Sequence, residues 1–201
     1  MLPIVHRVNT LKRLKETPME FGVEMDIHAY GQELVVHHDP FQDAICFTKW
    51  LDHFNHKLVV LNLKEEGIEY KVHEIMKDHN IDNYFMLDIP PAALIRFIRT
   101  TGERRVAVRA SYYEPIDTAL KLSGKADWVF VDLFEDKFPL SCEEYTKLKN
   151  AGFKVCLVSP ELWNRPVERL KAIQTELLSS NIIPDAVCTK YPNLWEKQPC
   201  P

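Results

Sequence analysis

The chain has 201 residues, 46% of them hydrophobic, with 25 Lys and Arg against 29 Asp and Glu for a net charge of -4. That size and apolar share suit a single domain, residues 1–201, whose core needs no staples. The mildly acidic balance, without a Lys/Arg cluster, speaks against a nucleic-acid partner. No stretch has the pattern of a secretory leader or the length of a membrane span, so a cytoplasmic protein with no integral membrane segment is expected. The five cysteines (46, 142, 156, 188 and 200) include no CxxC pair and read as reduced thiols, Cys156 and Cys188 being small buried hydrophobes.

In chain order, residues 3–7 (PIVHR) form the first predicted strand. The connector over 9–20 is a weak helix, interrupted by Thr17-Pro18. Residues 22–28 (GVEMDIH) alternate strictly, with Val23, Met25 and Ile27 on one face and Glu24, Asp26 and His28 on the other. After a turn at Tyr30-Gly31 a second limb, ELVVHHDP, ends in His37, His38 and Asp39. Apolar spacing predicts helices over 43–54, 70–79, 91–101, 114–124, 141–152 and 166–178. Between them lie strands at 57–64, 84–88, 105–110, 128–134, 154–159 and 186–191. Pro91 suits a helical first turn, Ser141 with Glu144 reads as a capping box, and Gly124 and Gly152 read as helix stops.

Eight strands alternating with helices, the central ones near-continuous apolar runs, point to parallel βα units and a compact (β/α)8 TIM barrel. An open doubly wound sheet is the rival, but no glycine-rich phosphate loop follows any strand. In a closed parallel sheet the Glu24, Asp26 and His28 face points inward. Burying those groups unpartnered costs several kcal/mol, so they require a cation, a ligand or one another. The other strands also end in polar groups: His6 and Arg7, Asn62 and Lys64, Asp88, Arg109 and Ser111, Asp132, Ser159 and Lys190. Together they describe a mouth suited to a phosphate, at the end of the barrel where such folds build their sites.

The succession of His6-Arg7 with Asn9-Thr10, then GVEMDIH, a turn at Gly31 and LVVHHDP resembles the opening of the glycerophosphodiester phosphodiesterase family. Fainter matches continue with LNLK (61–64), AGFKVCLVS (151–159) and CTKYPNL (188–194). The resemblance implies that His6 and His38 are the acid–base pair and that Glu24 and Asp26 hold a divalent cation, magnesium or calcium. It implies also that Arg7 and Lys64 contact the phosphate of a small-molecule phosphodiester. Two imidazoles suit an in-line displacement with exchange of proton roles, and hard oxygens suit a hard cation.

The departures bear on the metal. Asn62 stands where the family has a third acidic ligand, Val8 where it has glycine, and Lys190 where it has aspartate. Asp88 is the candidate replacement ligand, and Arg109 and Lys190 are candidate positive charges in its stead. Two other readings therefore accompany the metal-assisted hydrolase: a barrel that binds a phosphorylated metabolite or lipid headgroup without turnover, and a metal-independent phosphodiester lyase. His53, His56, His73 and His79 read as surface residues, the 64–69 stretch apart from Lys64 as mostly a solvated loop and helix start, and the tryptophans other than Trp163 as packing.

Overall fold

A computed structural model of the chain describes residues 1–196. It comprises two compact units, Val5–Arg105 and Met1–Ile4 with Val106 onward. In the first, β2 (Gly22–Tyr30), β4 (Leu58–Leu63) and β5 (Tyr84–Leu87) pair in parallel in the order β5-β4-β2. A short β3 (Glu33–Val36) folds back antiparallel on β2, pairing Ile27 with Val36 and Tyr30 with Glu33. Gly31 makes that hairpin possible at φ +62°, a conformation that costs glycine little. The helices are α1 (Leu11–Glu16), α2 (Phe47–Leu51), α3 (Glu69–Asp78) and α4 (Pro91–Thr101). Thr10 caps α1 by accepting from the Arg13 N–H, and the helix stops at Thr17, before Pro18, as the sequence requires.

The second unit contains most of β1 (Leu2–Val5), with β6 (Ala107–Ala110), β7 (Trp128–Val131), β8 (Lys154–Val158) and β9 (Ala186–Thr189). Its order is β1-β9-β8-β7-β6, and β6 to β9 pair in parallel. Here α5 (Asp117–Lys121), α6 (Cys142–Asn150) and α7 (Val167–Ser179) alternate with the strands. Ser141 and Glu144 form the expected capping box at α6. The eight parallel strands alternating with helices make the fold a compact (β/α)8 TIM barrel. The hairpin strand β3 is additional to that plan.

β4, β5, β7 and β9 are buried at every position, because they are covered on both faces. On α4 the residues Ala93, Leu94, Phe97 and Ile98 share the buried stripe, and Phe97 meets Tyr70 edge-on at 5.2 Å. Burying a side chain such as Phe97 is worth about 2–3 kcal/mol.

Polar burial near the start of β5 is fully paired. Glu103 accepts from the Arg104 and Arg105 N–H groups and from the Arg105 guanidinium at 2.6 and 2.9 Å, and the Tyr84 hydroxyl donates to it at 3.3 Å. Burial works against the Glu103 charge, but the hydrogen bonds from Arg105 overcome it and bring the pKa down to about 2.

One surface expectation fails. His56 is only 5% exposed, because its Nε2–H donates to the Thr17 carbonyl at 3.0 Å and ties the end of α1 to the approach to β4. The 64–69 stretch is as expected, with Glu65, Glu66 and Gly67 exposed and α3 starting at Glu69, whose carboxylate accepts from the Gly67 N–H at 2.7 Å. Cys156, Cys188, Trp50, Trp128 and Trp195 are buried as packing residues, whereas Trp163 is 46% exposed. Cys200 lies outside the described residues. No helix among the described residues is long and apolar enough to cross a membrane.

Candidate active site

Within Val5–Arg105, the ends of β1, β2, β3 and β4 bring most of the sequence-predicted residues together. Glu24 is 1% exposed and Asp26 fully buried, at alternate positions of β2. The register sets Asp26 beside Asn62 on β4. Asn62 Nδ2 then donates to Glu24 Oε1 at 3.0 Å. The segment after β1 closes over the same pair. Arg7 takes a left-handed φ of +54°, an unfavourable conformation for a side chain with a Cβ, and its backbone N–H donates to Glu24 Oε2 at 2.7 Å. The Val8 N–H donates to the Glu24 carbonyl at 2.7 Å, and the buried Trp50 indole holds the Val8 carbonyl at 3.0 Å. His6 Nε2 stands 3.8 Å from Glu24 Oε2.

Asp26 has a different set of neighbours. Lys64 Nζ is 2.9 Å from Oδ1, Asn9 Nδ2 donates to Oδ2 at 2.7 Å, and Arg7 Nε lies 3.8 Å from Oδ2. The two carboxyls are therefore driven apart in acidity. Burial, and then the negative charge of Asp26, push Glu24 up to about 7. Burial also opposes the Asp26 charge, but the Lys64 ammonium, with Asn9 and His38, outweighs it and holds Asp26 below the usual carboxylate range.

His38 lies just past β3 and is 40% exposed at its side chain. Its Nδ1 is 2.8 Å from Asp39 Oδ1. A carboxylate only accepts, so Nδ1 carries the proton and the neutral ring leaves Nε2 as its basic nitrogen. That hydrogen bond from His38 is the leading cause of the depressed Asp39 pKa.

The oxygens at this site suit a hard cation in type. Asp26 Oδ1 and Asn62 Oδ1 are both buried without a hydrogen bond, although Oδ1 of Asp26 has the Lys64 ammonium beside it. Among the described residues no group of three His, Cys, Asp or Glu is placed to hold a metal ion. Beside Glu24 and Asp26, the oxygen that Asn62 presents is a neutral amide oxygen. Asp88 is exposed and follows Leu87, the residue in register with Asn62.

The remaining two candidates lie in the other unit. Arg109 forms an ion pair with the buried Asp132, whose Oδ1 also accepts from Trp163 Nε1 at 2.5 Å. Lys190 is exposed, and its backbone N–H donates to Glu161 Oε1 at 2.9 Å. Glu161 is buried and also accepts from the Ser159 and Thr189 hydroxyls.

Sequence reasoning left out two residues of the first unit. Asn9 grips Asp26 twice, through Nδ2 and by accepting the Asp26 N–H at 3.0 Å. Asp39 orients His38. Both stood in the quoted motifs, and a polar residue directly beside a candidate ligand or base is the signal that would have found them.

No family model matches the chain, and no curated protein matches it by sequence. Solved structures do. A phosphodiesterase from Oleispira antarctica in complex with the product sn-glycerol-3-phosphate is 16% identical, with a TM-score of 0.70 over 98% of this chain and 95% of that one. A glycerophosphodiester phosphodiesterase from Thermotoga maritima is 18% identical, with a TM-score of 0.67 over 98% and 97%. That of Agrobacterium tumefaciens is 13% identical, with a TM-score of 0.68 over 96% and 98%. Over nearly its whole length the chain has the fold of the glycerophosphodiester phosphodiesterases, the family whose motifs its first forty residues resemble.

Proposed function

We propose that the protein is a phosphoric diester hydrolase acting on a glycerophosphodiester-type small molecule, with residues 1–201 as one catalytic domain. The observation that carries this reading is His38. It is a partly exposed imidazole, oriented by Asp39, next to a buried carboxylate pair with Lys64 in a fold shared with glycerophosphodiester phosphodiesterases. His38 Nε2 takes the proton of the attacking hydroxyl, and His6, beside Glu24, returns one to the leaving oxygen. Lys64 and Arg7 offset the phosphate charge.

Magnesium or calcium would be held by Glu24 and Asp26, with the Asn62 oxygen or Asp88 as the third ligand. When bound, such an ion neutralises charge developing on the phosphoryl oxygens. A cation-independent lyase is the second reading, favoured by the Lys64 ammonium 2.9 Å from Asp26 Oδ1.

The test is product formation from a panel of glycerophosphodiesters with magnesium, with calcium and with chelator. His38→Ala is expected to lose about 10²–10⁴ in rate with its fold intact. An unchanged rate in His38→Ala would refute the assignment. Full turnover in chelator would select the lyase reading. Binding without turnover under every condition would select the lapsed barrel.

A further inference from the structure

His28 occupies the third inward position of β2, after Glu24 and Asp26, and is 7% exposed. A buried histidine needs partners, and this one has two. Its Nε2 lies 3.0 Å from the backbone carbonyl of His38. A carbonyl only accepts, so Nε2 carries the hydrogen. Its Nδ1 faces Glu65 Oε1 at 3.8 Å, and the same oxygen accepts the backbone N–H of Ala29, so Glu65 is itself tied to β2.

What this hydrogen bond reaches is significant because of where the sheet ends. The β2–β3 ladder closes at Ile27 with Val36, and the His37 N–H makes one more bond, to the Asp26 carbonyl at 3.1 Å. Beyond that point His38 is past the paired strand. A side chain from β2 takes over where the backbone pairing stops. His38 is then held by His37 from the preceding residue, by His28 at its own carbonyl and by Asp39 at its ring. With the carbonyl released, the short segment 38–39 can turn about its backbone dihedrals and carry the imidazole away.

We infer that His28 is a positioning residue: it fixes the backbone of His38 and so the place of the His38 Nε2, without touching substrate itself. This rests on the reading of His38 as a proton-transfer group. Displacing a reacting group by about 1 Å is enough to cost on the order of 100-fold in rate.

The experiment compares His28→Leu, which removes the donor at similar bulk, with His28→Gln, whose terminal amide can donate to the same carbonyl. In turnover, His28→Leu is expected to lose roughly 10- to 100-fold in kcat with KM within about threefold, and His28→Gln to recover most of that loss. Amide hydrogen exchange supplies a readout that needs no activity. His28→Leu is expected to speed exchange at the His37 N–H by about tenfold, leaving the β4 and β5 amides unchanged, and His28→Gln to restore it.

Unchanged kcat and exchange in His28→Leu would overturn the inference. So would a Gln variant as impaired as the Leu variant, or faster exchange spread over β4 and β5 alike. Inactivity of the wild-type protein on every substrate would fail the hydrolase reading, while local protection restored by Gln would still establish what His28 holds.

Discussion

Replacing Glu24 by Gln separates a titrating carboxyl from its surroundings, because the two side chains are nearly isosteric and only one ionises. The folded protein holds Glu24 at about 7, through burial first and then the charge of Asp26, against an ordinary value of 4.5. A carboxyl whose pKa rises on folding binds its proton more tightly in the native state. Its contribution is fully present below 4.5 and is lost as pH rises through about 7. A displacement of roughly 2.5 units corresponds to about 3 kcal/mol over the full window, of which about 2 kcal/mol falls between pH 5.5 and 8.5. Gln contributes nothing to that slope, though it loses an acceptor to either Asn62 Nδ2 or the Arg7 N–H. Urea unfolding of both proteins at pH 5.5, 7 and 8.5 reads the difference, in which the other titrating groups largely cancel. The wild type is expected to lose about 2 kcal/mol relative to Glu24→Gln between the two extremes. A gap constant with pH, or one moving in favour of the wild type at high pH, would refute the burial argument.

Two further substitutions probe the neighbouring charges. Asn62→Asp restores a third carboxylate, and is expected to raise calcium affinity by about tenfold or more, read as a larger calcium-induced rise in melting temperature than the wild type shows. Glu103→Gln removes the charge from the Arg105 network and is expected to cost about 2–4 kcal/mol at neutral pH. Because the Glu103 pKa falls to about 2 on folding, its stabilisation is present above 4.5 and disappears as pH drops through 2. The two proteins should therefore converge in acid unfolding, and a penalty that persists undiminished at pH 2 would contradict the pairing.

The barrel was legible because its signals are local. Unbroken apolar runs such as LVVLNL specify strands covered on both faces, and α4 begins and ends where Pro91 and Gly102 place it. What sequence patterns overran were the strand ends. Residues 128–134 read as one strand, yet β7 stops at Val131, and Asp132 belongs to the rim, where it pairs with Arg109 and Trp163. Apolar patterning persists beyond the last ladder bond because rim residues such as Leu133 also bury themselves. His56 was misplaced for a different reason: it is polar and flanked by polar neighbours, and its burial depends on one distant partner, the Thr17 carbonyl, that periodicity does not encode.

At the site, inward alternation of β2 was enough to predict that Glu24 and Asp26 need company, but not what the company is. The partners come from residues 17 to 38 positions away: Asn9 on Asp26, Arg7 on Glu24, Asn62 on Glu24 and Lys64 on Asp26. The Lys64 ammonium and Asn9 keep Asp26 ionised, while burial and the Asp26 charge push Glu24 toward neutrality against the hydrogen bonds from Arg7 and Asn62. Asn62 brings no negative charge to the cluster and donates to Glu24. The cluster is consequently nearer to balance with Lys64 than three carboxylates would be. Stability of the apo-protein and affinity for a cation are thereby set against each other at one residue, and Asn62→Asp moves them in opposite directions.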